Sequence, residues 1–554
     1  MNKSPTDSAN SENVPALKPR SSPWEIVLAL AAIAVVGVLF GLPSLPEPFG
    51  VDHGIYGYIA DRLREGAVDH RDVFDHKPPG IHVVYAAAFA LFGHNMWSIR
   101  LLDLLAAIVT GWGLYALGRQ WGGARMGLWC GLLYPLFYIG GFDWLSRGQP
   151  ETWVNLLFVL GLALLARPRT RLSLFVAGAL LGVGFWFKPT ILLLAVLWPI
   201  LLIRNSMNRG KAQSKALTFD VLAAGGGFAA IVVAVLSYYL FHSALRDLYE
   251  AVVVFNTRYH NRLGLVQGWN EIRQAIGFIV RPLFALTLLT LLAVAATVFP
   301  ASRSSVALGF GWLALAFGTV FWQGSFARSH YVLVLPSMIF LSGVTLDAGI
   351  ETANALFSKM SGRADPDSHQ ATFMRRGGFW AVFIGFALAA VNLATLSEAR
   401  WTKFFALTGG RISTEQYCAS FWFKGAPGKG GYSFQDLRDI AAYLEAHTTP
   451  DQTIFVWGFR PLIAWLAHRR MPTRFIFRYP LTRTADPRWW EQFLADLDRS
   501  PPAYFVVVLD DRGFYHPETS KDALESNGAL ALFLHNRYVL DRTMTDFEIY
   551  RLER

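Results

Sequence analysis

The residues best suited to chemistry lie in the first polar loop, where Asp52 follows the apolar stretch of residues 24–42 by about ten positions. The same loop contains the element Asp75 to Gly80, which reads Asp-His-Lys-Pro-Pro-Gly. A carboxylate at the boundary between lipid and water can serve as a base for a lipid-linked substrate, and a neighbouring lysine can hold an anionic group. The loop therefore predicts base catalysis at a membrane surface.

Residues His53 to Arg64 are predicted to form an amphipathic helix along the membrane surface, because Ile55, Ile59 and Leu63 recur at helical spacing. Asp52 would then begin this helix. Spacing alone leaves two interpretations of Asp52 open: an N-cap that accepts backbone N–H groups, and a general base directed at an acceptor hydroxyl.

The composition is that of a polytopic membrane protein, since 53% of the 554 residues are hydrophobic and 16% are charged. A helix needs roughly 17–25 apolar residues to cross a bilayer, and only helices satisfy their backbone groups within such a segment. We predict eleven spans, at residues 24–42, 97–118, 126–141, 150–166, 172–187, 189–203, 221–241, 275–299, 306–322, 330–348 and 378–397.

The stretch Ile81 to Gly93 is not counted as a span, because an apolar run of about 13 residues is typical of an interfacial or re-entrant helix. With the N-terminus in the cytoplasm, the strongly basic loops then fall on the cytoplasmic side, as the positive-inside rule requires. These basic loops contain Arg119 and Arg125; Arg167, Arg169 and Arg171; and Arg204, Arg209, Lys211 and Lys215. The first polar loop and the C-terminal part are thereby predicted to be extracytoplasmic.

The chain is predicted to divide into a flexible cytoplasmic tail (residues 1–22), a transmembrane domain (23–399) and a small extracytoplasmic α/β domain (400–554). In the last part, Ser433 is expected to cap a helix from Phe434 to Ala446. Strands are expected at Thr453–Trp457, Arg474–Phe477 and Tyr504–Leu509, alternating with helices near 461–468, 487–498 and 521–534.

Three cations, Lys77, Arg147 and Lys188, are placed by this topology at the outer membrane surface. Lys188 is the most informative, because it stands in a short turn between two apolar spans with no acid nearby in the sequence. Each cation also has an ordinary interpretation. Lys77 could snorkel, Lys188 could anchor a helix end, and Arg147 could pair with Asp143 or Glu151.

Two further outer edges, Arg258 to Arg262 and Arg328 to His330, carry basic and aromatic residues of the kind that anchor helices at interfaces. We favour that interpretation for both. The spacing of the four outer histidines matches no metal-binding signature, so no metal site is predicted. These histidines are His53, His76, His260 and His330.

Together, these elements resemble the GT-C glycosyltransferases. The resemblance rests on Val51 to Tyr56, on His76 to Gly80 opening an interfacial helix, and on Phe92-Gly93 followed by Arg100. It points to the bacterial branch related to protein O-mannosyltransferases and lipid A aminoarabinose transferase, whose first outer loop has an acidic residue opening a helix and then a Lys-Pro-Pro element. Weaker similarities extend it over residues 24–400: Ser146-Arg147 before Glu151, Phe187 to Thr190, and Arg328 to Tyr331 ahead of Pro336.

The resemblance implies an inverting transferase of the bacterial inner membrane that moves a sugar from a polyprenyl phosphate to an extracytoplasmic acceptor, with Asp52 as general base. The implied reaction requires no cofactor. A requirement for a divalent metal stays open, but no metal is predicted. The residues then expected at the site are Asp52, Glu151 and Asp143 for catalysis; Lys77, Arg147, Lys188 and Arg328 for the donor phosphate; and His53, Tyr56, Asp75, His76, Tyr259 and His260 in the substrate loops.

Two departures from the family pattern leave the acceptor type and metal dependence open. His53 stands where many relatives have a second acid, and His76 stands where the aminoarabinose branch frequently has Glu.

Two other classes of protein also stay open. A transporter could share the polytopic plan, although transporters place their polar site near the bilayer midplane, whereas the charges here lie at one face. A non-catalytic envelope-assembly protein would keep the fold without needing Asp52. The net charge of +10 reflects the basic cytoplasmic loops, and no nucleic-acid-binding module is recognised.

Overall fold

The computed structural model describes residues 22–166, 170–207, 213–259, 269–270, 273, 276–277, 280, 282–324, 326–360, 369–423, 431–484, 486–511 and 518–553. Up to about residue 420 the described chain is helical, as its composition predicts. The predicted N-terminal tail, residues 1–22, lies outside the described residues apart from Ser22, which caps the first helix.

The helices of this part follow one another with short connections. In chain order they are α1 (Pro23–Gly41), α2 (Val51–Arg64), α3 (Gly80–Phe92), α4 (Met96–Gly122), α5 (Ala124–Gly141), α6 (Pro150–Leu165), α7 (Arg171–Phe185), α8 (Ile191–Leu194), α9 (Leu197–Met207), α10 (Gln213–Phe241), α11 (Leu245–Tyr249), α12 (Asn256–Tyr259), α13 (Phe284–Leu292), α14 (Arg303–Gln323), α15 (Leu335–Met360), α16 (His369–Thr408) and α17 (Thr414–Ala419). Tighter or wider helical turns occur at Leu42–Ser44, Glu250–Phe255, Ala293–Val298, Pro300–Ser302 and Arg328–Val334.

Among the described residues, five helical segments are long and apolar enough to cross a membrane. They are Pro23–Ser44, Met96–Gly122, Leu217–Phe241, Pro300–Gln323 and Arg328–Asn354, and each coincides with a predicted span. Helix α3 has 13 residues, which confirms that Ile81 to Gly93 forms a short helix. The total of eleven spans, their orientation and the domain division stay predictions, and α16 runs across the proposed boundary at residue 400.

Helix α2 corrects two expectations about the first polar loop. Its N-cap is Gly50, so Asp52 is the second residue of the helix and the N-cap interpretation of Asp52 is wrong. The helix is also not amphipathic as expected, because every residue from His53 to Ala60 is buried, on all faces of the helix. The C-terminal part of the chain covers its second face: a Cβ at Gly54 would lie 2.5 Å from the Cβ of Leu462.

The C-terminal part contains a four-stranded sheet in the order β1-β2-β4-β3. Strands β1 (Ile454–Trp457) and β2 (Tyr504–Val508) are parallel, and β3 (Tyr538–Met544) and β4 (Phe547–Leu552) form a hairpin that pairs antiparallel to β2. The helices around the sheet are α18 (Phe434–Ala446), α19 (Leu462–Leu466), α20 (Tyr479–Thr484), α21 (Pro487–Arg499), α22 (Ser520–Glu525) and α23 (Gly528–Arg537).

Local signals predicted β1, β2, α18, α19 and α21, but not α20 or the hairpin β3–β4. Helix α18 has the predicted bounds, and Ser433 caps it by accepting a hydrogen bond from the Asp436 N–H. Two expectations are wrong. Arg474 to Phe477 forms no strand, and residues 521–534 are split into two helices.

Candidate active site

A cavity of about 920 Å³ lies where helices α2, α3 and α6 begin, beside the turn that follows α7. Its polar side chains include Asp52, His76, Lys77, Gln149, Glu151, Lys188 and His330. Its other wall is apolar and comes mainly from the ends of α10 and α14 and from α11: Leu236, Leu245, Leu248, Tyr249, Val252, Val253 and Trp322. The cavity therefore offers charged groups at one end and a hydrocarbon-like surface at the other.

Asp52 and Lys77 form the first charged pair in this cavity. The Lys77 Nζ atom lies 3.6 Å from Asp52 Oδ1 and 5.0 Å from the centre of the Tyr56 ring. The Asp52 side chain keeps 34% of its surface exposed and that of Lys77 keeps 20%. Both groups can therefore contact a molecule in the cavity.

Glu151 and Lys188 form the second charged pair. Lys188 Nζ donates a short hydrogen bond to Glu151 Oε1, and His330 Nε2 lies 3.8 Å from the same oxygen. The Glu151 side chain is 2% exposed, and its other oxygen, Oε2, has no hydrogen-bond partner within the described part of the chain. Burial lowers the pKa of Lys188, against the effect of Glu151, and the Lys77 ammonium lowers it further.

His76 lies beside the first pair and lines the cavity. Burial lowers the pKa of His76, and the adjacent Lys77 ammonium acts in the same direction. The backbone carbonyl of His76 accepts a hydrogen bond from Asn256 Nδ2 at 2.8 Å, which ties the loop before α3 to helix α12. Among the described histidines of the predicted substrate loops, His76 lines the cavity and His53 does not.

Arg147 is fully buried away from the cavity, where it forms an ion pair with Glu47 and lies 3.9 Å from Asp103. Arg147 therefore supports the fold and does not contact the cavity, contrary to the expectation that it binds the donor phosphate. This pairing could not be predicted from the sequence, because Glu47 precedes Arg147 by 100 positions.

His53 is also a supporting residue. Its Nε2–H donates to the Arg147 carbonyl oxygen at 2.6 Å, and its Nδ1 accepts from the Gly50 N–H at 3.1 Å. Burial, reinforced by the positive charge of Arg100, lowers the pKa of His53 well below its ordinary value. A neutral His53 therefore holds the start of α2 against the loop before α6.

Asp143 and Arg328 pair with each other at 2.6 Å, and neither is among the described residues that line the cavity. Tyr56 is buried and donates its hydroxyl hydrogen to Gln149 Oε1 at 3.0 Å, so that its ring supports Lys77. His260 lies outside the described residues, and the side chain of Tyr259 is not described either.

Asp75 is buried behind the cavity in a network that the sequence analysis missed. It accepts hydrogen bonds from the His76 backbone N–H at 2.7 Å and from His82 Nε2 at 3.1 Å. His82 Nδ1 in turn lies 2.7 Å from Asp69 Oδ2, and His70 lies beside Asp69. Among the described residues, Asp69, His70 and His82 are the group whose side chains could hold a metal ion.

The comparisons with known proteins agree with this architecture. A family model described as "Dolichyl-phosphate-mannose-protein mannosyltransferase" matches residues 76–239. The chain is similar in structure to ArnT from Cupriavidus metallidurans bound to undecaprenyl phosphate, with 16% identity, a TM-score of 0.55, and coverage of 96% of this chain and 98% of ArnT. For ArnT in the apo state, the identity is 14%, the TM-score 0.50, and the coverage 95% and 97%. No curated protein matches the sequence.

At these identities the likeness establishes the fold. The chain has the GT-C fold of membrane glycosyltransferases, which confirms the resemblance seen in the sequence, and it is an integral membrane protein.

Proposed function

We propose that this protein is a glycosyltransferase of the bacterial inner membrane that transfers a sugar from a polyprenyl-phosphate donor to a hydroxyl group of an extracytoplasmic acceptor. The observation that carries the proposal is the joint presence of Asp52, Lys77 and Lys188 in one cavity with an apolar wall. A base, two ammonium groups and a surface for a lipid chain are the components that this reaction requires.

In the proposed reaction, the acceptor oxygen attacks C1 of the donor sugar from the face opposite the phosphate. The bond between C1 and the acceptor oxygen forms while the bond between C1 and the phosphate oxygen breaks, so that the configuration at C1 inverts. Asp52 takes the acceptor proton, and the phosphate leaves with the bonding electrons as polyprenyl phosphate. A phosphate leaving group needs no general acid, unlike the two-carboxylate hydrolysis of glycosides.

The two ammonium groups would neutralise the phosphate charge as it develops. Lys77 contacts Asp52 at 3.6 Å, so a phosphate that draws Lys77 toward itself would free the Asp52 carboxylate to accept a proton. Lys188 would approach the phosphate from the turn after α7 while Glu151 keeps it in place. With these charges supplied by lysines, the proposed reaction requires no divalent metal in the cavity.

The apolar wall supports a lipid-linked donor. Tyr249 and Val253 are 58% and 44% exposed, and Trp322 is 80% exposed, so the wall continues onto a surface suited to hydrocarbon. The fold relative ArnT was crystallised with undecaprenyl phosphate, which is a carrier of this chemical class. Phe459 and Tyr479 reach the same cavity from the C-terminal part, where they would contact the acceptor.

The experiment is to incubate purified protein with a panel of polyprenyl-phosphate sugars and to measure thermal stabilisation, followed by mass spectrometry of the products formed with candidate acceptors. We expect at least one donor to stabilise the protein and to yield free polyprenyl phosphate together with a glycosylated acceptor. Stabilisation by no lipid-linked sugar, with the protein folded, would contradict the proposal.

A further inference from the structure

Behind the candidate active site, Asp69, His70 and His82 form a buried cluster with no part in the proposed reaction. Each residue offers one ligand atom, and these atoms all lie within 4.8 Å of one another. The side chains are at most 4% exposed, and none of the three is among the described residues that line the cavity. The cluster joins the first polar loop to helix α3.

Hydrogen bonds on the far side of each imidazole determine which ring nitrogen carries the hydrogen. His70 Nε2 lies 2.9 Å from the backbone carbonyl oxygen of Lys77, and His82 Nε2 lies 3.1 Å from Asp75 Oδ2. Carbonyl and carboxylate oxygens only accept hydrogen bonds, so both Nε2 atoms must donate. In neutral imidazole the other nitrogen, Nδ1, then presents a lone pair.

Both Nδ1 atoms lie near the same carboxylate, and that of His70 also lies 2.9 Å from the Tyr239 hydroxyl. His82 Nδ1 lies 2.7 Å from Asp69 Oδ2, and His70 Nδ1 lies 3.4 Å from Asp69 Oδ1. An imidazole lone pair and a carboxylate in close contact in a buried site need a positive charge between them. The Tyr239 hydroxyl, 2.9 Å from His70 Nδ1, can donate to His70, but the contact between His82 and Asp69 still needs a proton or a cation.

We propose that Asp69, His70 and His82 bind a zinc ion that holds the first polar loop in place. Two imidazoles and one carboxylate are a three-residue ligand set that zinc uses in proteins, with the fourth position taken by water. The hydrogen bonds from the Nε2 atoms to Asp75 and to the Lys77 carbonyl are the outer contacts that typically orient metal-bound histidines. The site is distinct from the proposed transfer reaction and does not depend on it.

The backbone of the cluster supports a positioning role for the ion. His70 has a φ of 66°, a left-handed conformation that residues with a side chain rarely adopt. This conformation allows one imidazole to reach both Asp69 and the Lys77 carbonyl. The ion would therefore fix the backbone of Lys77 without contacting the substrate.

The test begins with full-length protein purified without a metal-affinity step. We expect elemental analysis to find about one zinc ion per chain. Removal of zinc with a chelator should lower the melting temperature, and ZnCl2, but not MgCl2, should restore it. The variants His82→Gln and Asp69→Asn should lose zinc. The matched control His94→Gln should keep it, because His94 pairs with Asp61 outside the cluster.

Two results would overturn the proposal. One is wild-type protein that contains no zinc and whose melting temperature does not respond to ZnCl2 after chelation, which would mean that Asp69 and His82 share only a proton. The other is wild-type zinc content in both cluster variants. If the variants fail to fold, X-ray absorption spectroscopy of the zinc-loaded wild-type protein tests the proposal. The spectrum must then show two imidazole nitrogens bound to the ion. Each of these measurements is independent of transferase activity.

Discussion

Individual side chains in the cavity form two acid–cation pairs, and these pairs differ in burial. The Asp52 and Lys77 side chains are 34% and 20% exposed, whereas Glu151 is 2% exposed beside Lys188. A buried ion pair loses more stability when one partner is removed than when both are replaced, because the remaining charge is left without compensation. The second pair can therefore be tested for separate contributions to stability and to binding.

We predict that Lys188→Met lowers the free energy of unfolding by about 3–5 kcal/mol, because it removes the ammonium group that pairs with the buried Glu151 carboxylate. The double variant Lys188→Met/Glu151→Gln should recover most of this stability without recovering the binding of polyprenyl phosphate. Denaturation in detergent and a lipid-binding assay measure the two effects. A double variant that binds the lipid as tightly as wild type would contradict the role of Lys188 in phosphate binding.

Sequence reasoning identified Asp52, Lys77, Glu151 and Lys188, which the cavity brings together, because each is charged and lies next to an apolar segment. It could not recognise that Arg147 is buried, since the partners of Arg147 come from distant positions. It also missed Asp69, His70 and His82, because the spacing of these residues follows no metal-binding motif and the cluster forms only when helix α3 folds against the loop.

Helices α2, α3 and α6 determine the shape of the site, because each begins at the cavity. Helix α2 is held between α3 and the C-terminal part, and small residues permit this close contact. Gly54 lies against Leu462, and a Cβ at Gly57 would lie 3.3 Å from Trp465 Nε1. Packing of α2 against the C-terminal part should therefore be sensitive to a single added methyl group.

We predict that Gly54→Ala destabilises the protein by about 1–3 kcal/mol, because the new methyl group would meet both the Leu462 side chain and its backbone. The matched control is Gly311→Ala in helix α14, where nothing lies within 4 Å of the added Cβ. That substitution should be neutral or stabilising by up to about 1 kcal/mol. Thermal unfolding of both variants in one detergent measures the difference, and equal melting temperatures would contradict the tight packing of α2.

Local signals predicted α3 and α18 well, because the length of a helix and its N-cap depend on residues that are neighbours in the sequence. Strand pairing depends on distant segments, and this is where prediction failed. Arg474 to Phe477 has the apolar character of a strand but forms none. The hairpin β3–β4 was not predicted, in part because its first strand is an edge strand with mostly exposed side chains.

The molecule as a whole combines a helical GT-C fold with a C-terminal part whose helix α19 packs against helix α2 of the first polar loop. The sequence predicts a membrane protein, because its apolar fraction is above that of typical soluble domains and apolar stretches of spanning length recur along it. The number of spans could not be fixed in the same way, since several apolar helices are shorter than a typical span. The orientation follows from the distribution of arginine and lysine and can be measured directly.

We predict that Asp52, Lys77 and the C-terminal sheet lie on the extracytoplasmic side. In a background without the two buried cysteines, Cys130 and Cys418, the variant Glu65→Cys should react with an impermeant maleimide in intact cells. The variant Ala124→Cys, at the first residue of α5, should react only after permeabilisation. The reverse pattern would place the candidate active site in the cytoplasm.

The proposed function depends most directly on the carboxylate of Asp52, and Asp52→Asn removes its charge with little change in shape. We expect the rate of sugar transfer to fall by about 10²–10⁴-fold, the typical contribution of a general base, while folding and donor binding persist. Asp61→Asn in the same helix is the control, since Asp61 pairs with His94 and should leave transfer nearly unchanged. Transfer at the wild-type rate by folded Asp52→Asn protein would contradict the account.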